Sequence, residues 1–335
     1  MSNRSSELSR EKSLSEFDVI RRFFTHRTPG TALGVGDDAA LVRVRAGMEL
    51  AVSVDMLIEG RHFMVGADPA LLGHKALAVN LSDMAAMGAK PRWATLALAL
   101  PRVNVRWLDA FARGFMSLAR KHRVDLIGGD TTRGPLAIAV QIMGEVPKGQ
   151  ALRRDRAKPG DDIWVSGRLG SAALALAAAK GRLRVPPRER RALDARLNAP
   201  EPRLALGTAL RRVANSAIDI SDGLLGDLGH ICERSNVGAV IEWEALPATP
   251  FVRSRAQQTE VAMRAILAGG DDYELCFTAP KSQRSNVLWA ADRAQTEVML
   301  IGHIVRRRRG APPIEVLDSI GKPLRVPWQG YDHFR

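Results

Sequence analysis

The chain has 335 residues, 46% of them hydrophobic, with 49 Lys and Arg against 36 Asp and Glu and a formal net charge of +13. That is more than one core of about 100–200 residues, so two domains are expected and disorder throughout is excluded. The two cysteines (Cys232 and Cys276) are in no metal-type spacing, no apolar run is membrane-helix long, and the start is polar, so we expect no zinc site, no membrane span and a cytoplasmic location.

In chain order, the pattern opens with a short helix over residues 15–25 and a turn at Pro29 and Gly30. Residues 49–55 read as a strand. Residues 68–88 read as a helix with Asp68 as N-cap, Pro69 at its first position and Gly88 as its stop. A strand over 92–100, an amphipathic helix over 104–121 and strands over 124–127 and 136–145 complete a βαβαββ unit. The turn-rich stretch 147–160 marks a boundary, which gives domains 1–150 and 151–335. The second half has strands at 162–166, 239–242, 273–278, 299–304 and 314–317. Its helices are expected at 169–180, 188–197, 203–213, 224–235, 260–267 and 282–294.

Only nine of the 49 basic residues are lysine, and the arginines are spread along the chain apart from runs at 188–196 and 306–309. Neither run is interleaved with stacking aromatics, so a solvated basic surface is expected rather than a nucleic-acid partner. Against this background the acidic residues gather with glycine in short segments. These are Gly34-Val-Gly-Asp-Asp38, Ser53-Val-Asp55, Asn80-Leu-Ser-Asp83, Gly128-Gly-Asp-Thr-Thr132 and Asp219-Ile-Ser-Asp-Gly223, with Gly269-Gly-Asp-Asp-Tyr-Glu274 as a sixth. All but Asp83 fall at expected strand ends or in loops. Glycine lets a main chain approach a ligand, and aspartate supplies hard oxygens of the kind magnesium takes while it bridges to phosphates. One such segment is ordinary turn chemistry, but six imply convergent carboxylates, which repel one another and need cations. Asp83 is the sharpest case, because Ala76, Asn80, Asp83 and Met87 share one stripe of an apolar helix, where a bare carboxylate is costly. The chain has no Walker-type phosphate loop, no complete dinucleotide fingerprint, no nucleophile elbow and no protein-kinase catalytic loop. Nucleotide phosphates would therefore be handled through metals and carboxylates.

The ordered set of segments closely resembles the thiamine-monophosphate kinase family. The set includes Ser53-Val-Asp-Met-Leu-Ile-Glu-Gly-Arg-His-Phe63, Lys75-Ala-Leu-Ala-Val-Asn-Leu-Ser-Asp-Met-Ala-Ala-Met-Gly88 and the end, Trp328-Gln-Gly-Tyr-Asp-His-Phe334. The resemblance covers nearly the whole chain. It implies an α/β (α+β) fold of the aminoimidazole-ribonucleotide-synthetase-like class, in which the N-terminal sheet pairs across a homodimer into a barrel and a layered C-terminal domain follows. It also implies ATP-dependent phosphorylation of thiamine monophosphate, with several Mg²⁺ ions. By matching position, Asp38, Ser53, Val54, Asp55, Asp83, Asp130, Asp219 and Asp222 are the implied metal set. Gly129, Asp130, Arg154 and Ser221 are implied to contact ATP, and His62, Asp271 and Tyr331 the substrate. Of these, Asp130, Arg154, Asp219 and Asp222 carry the implied catalytic role. Two positions depart from the family pattern: Val54 can offer a metal only its main-chain carbonyl, and Asp271 is one methylene shorter than the glutamate common there. Aromatic surface beside Asp271 would come from Tyr331 or Trp328.

Physical chemistry fits this assignment. Two phosphates must be brought together against their repulsion, which cations caged by aspartates offset. The attacking phosphate oxygen is already ionised, so no general base is needed. The rival reading is another ATP-dependent enzyme of the superfamily, such as a selenophosphate or aminoimidazole ribonucleotide synthetase. The former would carry a reactive cysteine near the start, and residues 1–60 contain none.

Overall fold

The structure is a computed structural model and describes residues 14–308, 310, 312–328 and 330–331. The chain enters through a capped helical turn, α1 (Glu16–Val19), which continues as a π-type turn over Ile20–Phe24. The first half is then β1 (Met48–Ile58), α2 (Pro69–Ala86), β2 (Lys90–Leu100), α3 (Val105–His122), β3 (Asp125–Arg133) and β4 (Ala137–Pro147). This is the βαβαββ order expected from the pattern. The strands form one sheet in the order β1-β4-β2-β3, with β2 and β3 parallel and the other pairs antiparallel. Asp68 caps α2 by accepting from the N–H groups of Ala70 and Leu71, with Pro69 at the first helical position where its missing N–H costs nothing.

One face of this sheet packs against α2 and α3, burying Leu57, Leu96, Leu98, Ile138, Val140 and Ile142. The other face is bare: on β1 alone, Leu50, Val52, Val54, Met56 and Ile58 alternate outward, and Val54 is 63% exposed. A strand has period two, so Ser53, Asp55 and Leu57 point the opposite way, toward α2.

The second half contributes β5 (Asp162–Ser166), α4 (Ser171–Ala179), α5 (Pro187–Asn198), α6 (Leu204–Ala209), β6 (Ser216–Asp219), α7 (Leu224–Ser235) and β7 (Val237–Glu242). It ends with α8 (Pro250–Ala256), α9 (Glu260–Ala268), β8 (Leu275–Ala279), α10 (Arg284–Arg293), β9 (Val298–Arg306) and β10 (Ile314–Leu317). A six-stranded mixed sheet in the order β10-β7-β9-β5-β8-β6 results. The larger hydrophobic core does not stop at the end of β4. It includes Leu77, Leu81 and Met84 of α2 together with Leu206, Leu210, Ala217, Phe277 and Val287 of the second half. α6 lies so close to α2 that a Cβ on Gly207 would come 2.0 Å from the Ala85 carbonyl oxygen. Among the described residues no helix is long and apolar enough to cross a membrane. Cys232 and Cys276 are free and buried, and burial raises both thiol pKa values, so neither is an activated nucleophile.

Several expectations shift. β1 and β3 run longer than their patterns suggested, so Asp55 and Asp130 lie within strands rather than at strand ends. β6 and α8 had no clear pattern, because four and seven residues are too few to show a period. The helix expected over 203–213 is only Leu204–Ala209. The strand expected from 273 begins at Leu275, since Asp271 and Tyr273 take left-handed φ values of 69° and 49°.

Candidate active site

Four elements bring the acidic side chains together. α2 supplies Asp83, held by a 2.6 Å hydrogen bond donated by Ser53 Oγ of β1. Two residues along β1, the Asp55 main-chain N–H donates to Asn80 Oδ1 at 3.2 Å, and Asn80 donates back to the Ala76 carbonyl within α2. β6 ends on Asp219, which is 4% exposed, and the following loop carries Ser221 and Asp222. That loop is tied down by Asp227 in the first turns of α7. Its Oδ2 accepts from the N–H groups of Ser221, Asp222 and Gly223 at 3.0, 3.1 and 3.1 Å.

These carboxylates disturb one another. Burial, followed by the charges of Asp83 and Asp219, lifts the pKa of Asp55 to about 7. Burial and Asp83 do the same to Asp219, with partial relief from Ser82 and Arg154. Asp83 is raised by burial, and the Ser53 hydrogen bond and the Arg154 charge pull it back. Asp227, buried behind Asp219 and Asp222, is pushed up to about 8. A cluster of this kind lacks positive charge.

Arg154 stands in the short turn Arg154–Arg156 between the two halves, and its charge acts on Asp83 and Asp219. Its neighbour Arg153 is instead paired with Asp155. In front of the cluster is a cleft of about 580 Å³ whose lining includes Ser53, Asp83, Met87, Arg154, His230 and Arg234. Its size suits a nucleotide-sized ligand.

A second group adjoins the first. Asp271 pairs with the buried Lys75 of α2, and Tyr273 reaches the same carboxylate oxygen. The Asp271 N–H donates to the Ser221 carbonyl at 2.8 Å, and Tyr331 N–H donates to the Asp222 carbonyl at 2.9 Å. Asp271 and Tyr331, both implied substrate contacts, are therefore both hydrogen-bonded to the aspartate loop.

The remaining expected site residues sit on other elements or on the other face of the sheet. Asp38 is exposed in the loop before β1. Val54 faces the bare side of the sheet, and the His62 ring accepts the Ile58 N–H at 3.0 Å in the turn after β1. Asp130 pairs in register with Ala97, Ala97 with Ala139 and Ala139 with Met56, a row on the bare face. Asp55 belongs to the neighbouring row, through Val140 and Leu96 to Gly129, on the covered face. Within one chain Asp130 is thus on the opposite face and edge from the cluster, three strand spacings or ~14 Å away. Gly129 is glycine for a local reason: at φ 151° a Cβ would lie 1.8 Å from the Leu96 carbonyl oxygen.

The site also includes residues not anticipated from sequence. Lys75 lies on the same side of α2 as Ser82 and Asp83, and the argument that singled out Asp83 in an apolar run applies to it equally. Asp227 could have been found as an acid in the first turn after Asp222-Gly223, where it meets loose N–H groups. His230 and Arg234 offer no signal of their own; only the turn of α7 aims them at the cleft.

The donor set fits a divalent cation. Among the described residues no three His, Cys, Asp or Glu side chains form a ready metal cage. Magnesium needs none, because it usually takes one or two carboxylates and fills its remaining positions with water and phosphate oxygens. The mutual repulsion of Asp55, Asp83 and Asp219 is what such an ion would relieve.

Two sheets joined through one core, with carboxylates at their junction, define the class, and comparison with known proteins agrees. Residues 36–146 match the AIR synthase related protein N-terminal domain, and residues 158–314 match the C-terminal domain of the same family. Within that class the chain is 45% identical over 325 residues to the thiamine-monophosphate kinase of Escherichia coli K12, covering 95% of this chain and 98% of the relative. The crystal structure of thiamine-monophosphate kinase from Stenotrophomonas maltophilia K279a superimposes with a TM-score of 0.80 at 47% identity, covering 89% of this chain and 94% of that one. AaThiL complexed with AMPPCP and TMP superimposes at 0.73 with 28% identity, covering 95% and 96%. The chain belongs to the thiamine-monophosphate kinase family.

Proposed function

We propose that this enzyme transfers the terminal phosphoryl group of ATP to thiamine monophosphate, forming thiamine diphosphate and ADP. The observation that carries the proposal is the mutually repelling set of buried Asp219 with partly buried Asp55 and Asp83 beside a cleft of nucleotide size, at positions where the family's phosphate-handling motifs fall. The relatives' names and the complex of AaThiL with AMPPCP and TMP support the choice of substrates.

In this reading a phosphate oxygen of thiamine monophosphate attacks the terminal phosphorus of ATP in line, and the bond from that phosphorus to the ADP oxygen breaks. The attacking oxygen needs no base, which agrees with a site built from aspartates and an arginine. Arg154 neutralises charge that builds on the ATP oxygens. Ser53, the Val54 carbonyl, Asp55, Asp83, Asp219 and Asp222 would hold magnesium, which screens the two phosphates and aligns the transferred group. Ser221 would meet ATP together with Gly129, which like its neighbour Asp130 would reach the partner's site, and Asp271, Tyr331 and His62 would meet the thiamine end. Residues 1–150 then carry the metal-binding half, and residues 151–335 complete the nucleotide and substrate site.

The protein acts as a homodimer in this proposal, its bare β1 face closing on a second copy to form a barrel. Asp130, remote from its own cluster, would serve the partner's site. Incubation with ATP, Mg²⁺ and thiamine monophosphate tests the main reading. Thiamine diphosphate is the expected product, dependent on Mg²⁺. Turnover of formylglycinamidine ribonucleotide instead would replace this reading with the synthetase one.

A further inference from the structure

Lys75 is 3% exposed, and its ammonium lies 2.7 Å from Asp271 Oδ1. The Tyr273 hydroxyl donates to that same oxygen at 3.4 Å. Among the described residues no hydrogen bond reaches Asp271 Oδ2, while the side chain remains 28% exposed. The backbone beneath is equally constrained. Asp271 and Tyr273 both hold left-handed φ values, and their N–H groups donate to the Ser221 and Ile220 carbonyls at 2.8 Å each. A buried lysine normally costs stability unless its partner is fixed, so a clamp on one oxygen of a loop aspartate calls for a role.

We infer that Lys75 and Tyr273 are positioning residues, which hold Asp271 Oδ1 so that Oδ2 is presented, already oriented, to the positively charged ring of the substrate. The inference rests on the kinase reading above and deepens it. An unclamped aspartate in a loop would have to be ordered when the ligand binds, at a cost in affinity; here that order is built in. The clamp also joins the two ends of the site. Lys75 and Asp83 lie on one helix, eight residues or ~12 Å apart, so the ring anchor and the carboxylate cluster are spaced by a rigid element. Tyr273 faces the cluster as well as Asp271: its hydroxyl is kept protonated by burial and by the charges of Asp271, Asp55 and Asp219.

Steady-state kinetics of the full-length enzyme test this. Lys75→Met should raise KM for thiamine monophosphate about 10–100-fold, the loss expected when a charge-assisted partner is removed, with KM for ATP changed less than about twofold. Tyr273→Phe, which takes away a single hydroxyl and keeps the ring, should raise the same KM about 3–10-fold. Because both act through Asp271, neither substitution should raise KM further in an Asp271→Asn background. Unchanged KM in both single variants, or effects that add fully to Asp271→Asn, would overturn the clamp while leaving the kinase reading in place. No turnover of thiamine monophosphate by the unaltered protein would overturn both.

Discussion

Asp55, Asp83 and Asp219 are stable together only when something offsets their charge, and this gives the metal-free protein a definite pH response. Asp55 and Asp219 have folded pKa values near 7 and Asp227 near 8, all above the ordinary 3.8 of an unfolded aspartate. Groups raised in the folded state favour it fully below the unfolded pKa, and that advantage is lost as pH rises through the folded values. The melting temperature without divalent ions should therefore fall between about pH 5 and pH 8.5, and Mg²⁺ should recover most of the loss at the upper end. Differential scanning fluorimetry across that range checks it; a flat profile would mean that the carboxylates are not in contention. Asp219→Asn should raise the metal-free melting temperature at pH 8, abolish the Mg²⁺ response and cut turnover about 100-fold or more. A variant less stable than the parent at pH 8 would contradict the repulsion argument.

At the scale of elements, α2 decides most of the site. It packs against α3, the first sheet, α6 and β6, and carries Lys75, Asn80, Ser82 and Asp83 into the junction. Its contact with α6 needs Gly207, since a side chain there would strike the Ala85 carbonyl in the last turn of α2. Gly207→Val should cost about 2–4 kcal/mol of stability and lower turnover by moving Asp83, which denaturant unfolding and kinetics measure together. α7 acts through Asp227, whose single oxygen holds three successive N–H groups. Asp227→Ala leaves those groups bare and should loosen the loop that presents Ser221 and Asp222, seen as faster amide exchange at 221–223 with the core unchanged.

For the whole molecule, the bare face of the first sheet is the dominant surface feature. Its β1 row of five exposed apolar side chains lies on an edge strand, which a monomer would leave open to aggregation. The proposed dimer would cover it and would bring the partner's Gly128–Arg133 strand segment toward the cluster. Subunit mixing separates the two arrangements. Asp83→Asn and Asp130→Asn homodimers should each be nearly inactive. Once their subunits exchange, mixtures should regain about a quarter of the parental rate if Asp130 serves the other subunit, because half the dimers then hold one intact site. No recovery after verified exchange would mean that Asp130 acts within its own chain or not at all.

The sequence by itself determined the element order of the first half and the identity of the acidic segments. Those signals are local: helical and strand periods, the Asp68-Pro69 start and Gly-Asp clusters are all read within a few residues. Tertiary structure alone decided which carboxylates meet. Asp55 and Asp130 look alike in sequence, yet period-two alternation and strand order send them to opposite faces and edges of one sheet. Lys75, Asp227, His230 and Arg234 entered the site only when α2, α7 and the Asp271 loop were packed together. Such proximity comes from burial shared among distant segments, a long-range quantity that no window of neighbouring residues contains.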